Sequence, residues 1–197
     1  MGKLTRLVLF GVGLLSLFGG AAATAGAVTW HNTGSTSFTA TTGPQTLSST
    51  SASWNCTGGT LTGDMPLGSI VAATYLSRGT MTYSGCSLSG IATGVDCSYT
   101  LTATTQTGSQ TTGEADMACG WYQFGSKLCN VAGSMHFAYA NPVGGVGTLT
   151  LTTGGSLITT QGAPGAPCPL GNGDRTHQSV MTLRTTSANP PAITRTA

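Results

Sequence analysis

Apolar and polar residues alternate with a period of two over much of the chain, the pattern of a strand with one face buried and one in water. In Thr148-Leu149-Thr150-Leu151-Thr152 the leucines share one face and the threonines the other. Ser98 to Thr104 repeats the scheme through Tyr99, Leu101 and Ala103, as do Thr80 to Tyr83 and Met181 to Arg184. Met135, Phe137 and Tyr139 share a face, which sends His136 to the other. The run Ile70 to Leu76 is apolar on both faces and predicts a more buried strand. Gly58-Gly59, Gly144-Gly145, Gly154-Gly155 and Gly171-Asn172-Gly173-Asp174 punctuate these runs as turns. Many short strands with frequent turns predict an all-β fold, an antiparallel β-sandwich or, alternatively, a β-barrel.

Residues 1–27 read differently. Lys3 and Arg6 precede an apolar run from Leu7 to Phe18, and small residues follow, ending Ala25-Gly26-Ala27. That order predicts a secretory signal peptide, with the exported chain starting at Val28 and an extracellular or cell-surface location. Residues 28–186 are then expected to form a single all-β domain. Ser187-Ala188-Asn189-Pro190-Pro191 opens an expected flexible tail, 187–197. The weakly patterned stretch 33–53 reads as edge strands or a mobile arm.

Composition narrows the options. Charged residues are 6% of the chain, against roughly a quarter in ordinary proteins. Without Lys3 and Arg6 the basic residues fall from 7 to 5, equal to the 5 acids, so the exported chain is neutral. With no basic cluster to neutralise phosphates, nucleic acid is not expected as a partner. No later segment is apolar enough to span a bilayer, so stable membrane insertion is not expected once the signal is removed. Leu, Ile, Val and Phe are about 15% of residues 28–197, which predicts a thin core that needs reinforcement.

The six cysteines supply it. Cys56, Cys86, Cys97, Cys119, Cys129 and Cys168 all follow the signal, and an even count in an exported chain reads as disulfides. Six cysteines allow 15 pairings. Cys86 and Cys97 flank Gly90 and Gly94 as if across a hairpin, with a bulge at Gly85 turning Cys86 inward. Cys119 and Cys129 enclose a short loop. Elimination then leaves Cys56 with Cys168.

The stretches Val28-Thr29-Trp30-His31-Asn32-Thr33-Gly34, Tyr83-Ser84-Gly85-Cys86, Asp96 to Ala103 and Cys168 to Asp174 resemble those of small secreted Ser/Thr/Gly-rich proteins of high-GC Gram-positive bacteria. The resemblance covers most of the chain after the signal and rests on Cys and Gly positions. It implies an exported, β-rich protein and carries no activity and no site residues.

Chemical motifs are sparse. There is no G-x-S-x-G elbow, so His31, His136 and His177 have no recognisable serine nucleophile to activate. Glu114 and Asp116, two apart on a strand, share a face and form the one close acid pair. Asp174 and His177 are too few for a metal site, and no C-x-x-C spacing occurs, so neither metal nor cofactor is expected. Repeated Thr-x-Thr runs offer a ladder that, if flat, matches ice or a crystalline polysaccharide. The richest segment lies between Cys119 and Cys129, where Trp121, Tyr122 and Phe124 stand beside Lys127. A stapled loop displaying aromatic rings stacks on sugar rings or an apolar protein surface at low ordering cost. These observations predict a secreted, non-enzymatic binding or surface module whose partner is a carbohydrate or a protein. An extracellular hydrolase and a purely structural or protective surface protein are the alternatives.

Overall fold

The computed structural model describes residues 28–66, 68–71, 76–152, 157–161, 168–171, 175–178 and 180–196. The expected signal at 1–27 and the middle of the Ile70–Leu76 run lie outside them. In chain order the strands are β1 (Thr29–Asn32), β2 (Ser37–Thr42), β3 (Gln45–Ser48), β4 (Ser53–Cys56), β5 (Gly58–Asp64), β6 (Gly68–Val71), β7 (Ser77–Ser84), β8 (Ser87–Leu88) and β9 (Ile91–Ala92). The long strands β10 (Gly94–Thr107), β11 (Gln110–Gln123) and β12 (Ser126–Val143) follow. The chain continues through β13 (Val146–Thr152), β14 (Leu157–Gln161), β15 (Arg175–Gln178), β16 (Met181–Thr185) and β17 (Ile193–Thr196). No helix occurs among the described residues.

Eight strands close into an antiparallel barrel in the order β11, β10, β7, β5, β2, β16, β13, β12, with β12 pairing back onto β11. The fold is therefore all-β, and of the two architectures expected for the barrel strands the closed one forms. Part of the weakly patterned 33–53 stretch is β2, an integral stave. β12 changes partner along its length: His136–Val143 pairs with β13, while Cys129–Gly133 pairs with β14. From β14 the sheet runs on through β15, β3, β4, β8 and β9. It curls so that Leu47, Trp54 and Leu157 meet Tyr83, Val95, Met117, Trp121 and Val131 in a second part of the core.

A barrel of eight strands is just wide enough to be filled by its own side chains. Here rings lie over glycines. Tyr99 stands opposite Gly79, which stands opposite Gly63. A Cβ on Gly79 would lie 2.6 Å from the Tyr99 hydroxyl and collide with the Thr62 carbonyl. Phe137 stands opposite Gly113, where a Cβ would come within 2.8 Å of the ring, and Tyr83 stands opposite Gly59. Each glycine gives up a side chain so that an aromatic neighbour can span the lumen. The outward positions of the same strands carry Thr60, Thr62, Thr80, Thr82, Glu114, Asp116, Thr182 and Arg184. This is the inverse of a lipid-facing barrel, which turns an apolar band outward.

Within the expected flexible tail, 187–197, residues 190–196 are instead tied into the fold. Pro190, Pro191 and Ile193 are buried, and β17 pairs with β1 along its whole length. Asn141 holds the Ile193 backbone from both sides, Nδ2 donating to its carbonyl (2.6 Å) and Oδ1 accepting from its amide (2.8 Å). Gln106 Nε2 donates to the same carbonyl, and the Tyr139 hydroxyl donates to the Pro191 carbonyl. Asn32 ties in the opposite side: its Oδ1 accepts from Gly34 and Ala192 amides while Nδ2 donates to the Ser35 and Met65 carbonyls. Two consecutive prolines do not make a tail mobile when the flanking backbone has partners and an apolar anchor follows.

All six cysteines are paired, but as Cys56–Cys86, Cys97–Cys119 and Cys129–Cys168. The expected pairs Cys86–Cys97, Cys119–Cys129 and Cys56–Cys168 do not form. Register is the reason. Cys97 lies directly opposite Cys119 across β10 and β11. Cys119 faces Val131 on β12, two residues from Cys129, and a diagonal of about 7–8 Å exceeds what a bridge spans. Cys97 faces Met81 on β7, five residues short of Cys86. Gly85 does take a positive φ of 56°, as a bulge requires, and Cys86 turns inward, but onto Cys56. The bridges separate their cysteines by 30, 22 and 39 residues. In the chain-entropy model each contributes about 3–4 kcal/mol.

Candidate binding site on the barrel wall

The Cys119–Cys129 segment is a hairpin rather than a stapled loop. Gln123 and Ser126 close it, and Phe124 and Gly125 form the two-residue turn with positive φ of 49° and 79°. Positive φ at both positions suits the twist of paired strands. The inward phase of Gly113, Ala115 and Met117 continues along β11 and brings Trp121 inside. Trp121 is 2% exposed and lies 4.9 Å, ring to ring, from Trp54. The expectation that Trp121 displays its face to a ligand is overturned by that alternation. Phe124, at the tip, is 94% exposed.

Tyr122 and Lys127 do come together on the outer wall. The β11–β12 register shifts between Trp121 and Tyr122, so that Tyr122 faces Lys127 with Leu128 as the extra residue. Such a bulge re-aims a side chain; here it puts Lys127 on the same outer surface as Tyr122. Both side chains lie down over Gly120. A Cβ there would be 2.6 Å from Lys127 Cε, 2.9 Å from the Tyr122 hydroxyl and 3.0 Å from its ring. The Lys127 Nζ is 5.8 Å from the centre of the Tyr122 ring, at the outer limit of a cation–π contact. Gly120 is flanked in register by Asp96 on β10 and Asn130 on β12. Ala118 and Ala132, opposite one another, continue the low floor. The result is an open groove of about 400 Å³ lined by Tyr122, Lys127, Asp96, Asn130, Ser98 and Thr80.

This arrangement offers a ring face, an ammonium donor, an acceptor-only carboxylate and an amide that both donates and accepts. They surround a spot where the sheet is bare. Sequence reasoning found Tyr122 and Lys127 but missed Asp96, Gly120 and Asn130. Gly120 carries the missed signal: a glycine inside a strand pattern marks close approach of another group.

The other candidates are dispersed. Glu114 and Asp116 share the outer face as expected, and both are exposed. Glu114 faces His136, while Ser134 donates to the Asp116 carboxylate. Ser134 is thus tied to an acid and not to an imidazole. His31 contacts Ser69 Oγ through Nδ1 (3.2 Å) and Thr196 Oγ1 through Nε2 (3.0 Å), so no carboxylate orients it. Asp174 lies outside the described residues, and of His177 only the backbone, paired with Ser48, is described. No Ser–His–carboxylate chain forms among the described hydrogen bonds, and no cluster of three or more metal-ligating side chains occurs among the described residues. The threonine rows are real: Thr39, Thr62 and Thr80 align across three strands, as do Thr41, Thr60 and Thr82. They lie on a closed barrel whose wall turns by roughly 45° per strand. A planar lattice therefore meets only one strand at a time.

No family model, curated protein or solved structure matches this chain.

Proposed function

We propose that the protein is an exported, non-catalytic binding module that takes a carbohydrate on the wall of its barrel. The observation that carries this reading is the Tyr122 ring and Lys127 stem laid over Gly120 between Asp96 and Asn130. A sugar ring presents C–H faces to an aromatic plane and hydroxyls at its edge. Tyr122 supplies the first contact, and Asp96, Asn130 and Lys127 supply hydrogen bonds around it. Export accords with three disulfides, which persist in oxidising compartments. It accords also with the signal-like residues 1–27 and with the absence, among the described residues, of a helix long and apolar enough to cross a membrane.

A glycan array followed by calorimetry on the strongest hit tests the reading. Tyr122→Ala is expected to weaken binding by about tenfold, the worth of one stacked ring at roughly 1.4 kcal/mol. Its far-UV circular dichroism should be unchanged, because the ring lies outside the core. Retention of no glycan, or equal affinity of the Tyr122→Ala variant, refutes the assignment.

A further inference from the structure

A larger groove, of about 680 Å³, opens further round the barrel, where β2 and β16 part. These strands pair only at Ala40–Thr185 and Thr41–Arg184. Beyond that, the Thr186 amide still donates to the Thr39 carbonyl (2.8 Å) and the Ser35 amide to the Asn189 carbonyl (3.0 Å). Between those two ties, Ser187-Ala188-Asn189 forms the rim of the groove. Gly63 and Gly79, the paired glycines beneath which Tyr99 packs, contribute bare backbone to its lining.

Phe38 and Ala188 give the lining an apolar part, and hydrogen-bonding side chains make up most of the rest. Ser37, Thr39, Thr62 and Thr80 contribute hydroxyls, Asp64 a carboxylate and Asn189 an amide. Ser187, also on the lining, has a buried Oγ with no partner. No Lys or Arg lines the groove, which disfavours an anionic ligand. Arg78 stands opposite Asp64 in register and balances its charge, so a cationic ligand is not demanded either. A neutral, polyhydroxylated ligand matches this set of donors and acceptors.

Thr80 belongs to both grooves. It faces Ser98 across β7 and β10, and Ser98 faces Ala118 on the floor of the Tyr122 groove. From β5 to β12 along this path are four interstrand steps on a wall that turns by roughly 45° at each step, about 19 Å in all and longer than a single sugar ring. We propose that the two grooves form one track for a single neutral polysaccharide chain, with Tyr122 gripping one ring and the Asp64–Asn189 groove gripping rings further along. The inference rests on the carbohydrate reading of the Tyr122 site. It adds that the ligand is a polymer with a bent backbone, because the barrel wall curves away beneath a flat ribbon.

The test uses the full exported chain with amylose and dextran as soluble bent polymers, their two-sugar and seven-sugar fragments, and insoluble cellulose and chitin. The seven-sugar fragment is expected to bind about tenfold tighter than the two-sugar one, a difference of roughly 1.4 kcal/mol. Replacing both Asp64→Ala and Asn189→Ala, at exposed positions, should bring the long fragment down to the affinity of the short one and leave the short one unchanged. Tyr122→Ala should weaken both. Equal affinity for the two lengths, or an Asp64/Asn189 variant that binds the long fragment normally, overturns the track while leaving the Tyr122 site standing. Retention on cellulose or chitin without binding of the soluble chains overturns the bent-chain inference. Binding of none of these probes overturns the inference together with the carbohydrate reading beneath it.

Discussion

The strongest demand the structure makes on experiment concerns the last residues of the chain. Ile193 is 0% exposed, and its backbone is gripped at both the amide and the carbonyl by Asn141 and again by Gln106. Ile193→Ala removes a fully enclosed side chain, a change that costs 2–5 kcal/mol in closely packed cores. Asn141→Ala removes two hydrogen bonds and leaves the Ile193 amide without its partner, for about 2–3 kcal/mol. Were the segment a mobile tail, each substitution would fall within about 0.5 kcal/mol of wild type. Urea unfolding of the oxidised protein, followed by tryptophan fluorescence, separates the two cases. Both variants should lower the midpoint with little change in slope, since a lower midpoint at constant slope reports lost stability. Thr194→Ala, at an exposed neighbouring position, serves as the control and should not move it. An Ile193→Ala midpoint equal to wild type refutes the placement of β17 and of the contacts that close this end of the barrel.

Two further outcomes follow from the barrel interior. Gly79→Ala forces a Cβ against the Thr62 carbonyl and the Tyr99 hydroxyl, and because the first of these is backbone, a loss of about 2–4 kcal/mol is expected in the same urea assay; wild-type stability would show that Tyr99 does not pack over Gly79. Burial pushes the Tyr99 hydroxyl up to about 12, against the Ser77 hydroxyl, which lowers it, and with the Asp64 charge adding to the rise; burial raises Tyr139 as well. The folded state holds these phenols neutral while the unfolded chain ionises them near 10, so their contribution is intact below pH 10 and is lost as pH rises from 10 towards 12. For Tyr99 the loss is about 3 kcal/mol. Urea midpoints measured in brief exposures at pH 9, 10, 11 and 12 should decline across that window, and phenolate absorbance titrating near 10 for all tyrosines contradicts the burial.

What the sequence disclosed was set by the range of the interaction involved. Alternation is local, and it placed the inward faces of Tyr99 and Leu101, of Phe137 and Tyr139, and of Leu149 and Leu151. The same rule carried along β11 puts Trp121 inside, but three clustered aromatics between two cysteines suggested display. Register is not local. The disulfides follow from which residues face one another across strands, and the turn at Phe124–Gly125 together with the Leu128 bulge fixes that register for β11 and β12. The closure of β17 onto β1 joins residues more than 160 positions apart, and Pro-Pro near a chain end gives no hint of it. The candidate site was half legible for the same reason: Tyr122 and Lys127 are sequence neighbours, whereas Asp96 and Asn130 reach Gly120 only through pairing.

The aliphatic content is low enough to make a stable core doubtful on composition alone, yet the barrel closes and fills. Rings do the filling. Tyr99 across Gly79 and Gly63, Phe137 across Gly113 and Tyr83 across Gly59 occupy space that would otherwise take two aliphatic side chains per position. Three covalent links of about 3–4 kcal/mol each then restrict the unfolded chain. The wall carries the polar half of the alternation. Its threonines hold strand geometry at no cost in solubility, and where the outward position is Gly120 the wall is lowered locally. Gly63 and Gly79 serve the inner side instead, because a Cβ on either would point at the Tyr99 hydroxyl. A substitution at Gly79 should accordingly lower stability, whereas Gly120→Ala, whose Cβ meets the side chains of Lys127 and Tyr122, should disturb binding with little change in the urea midpoint.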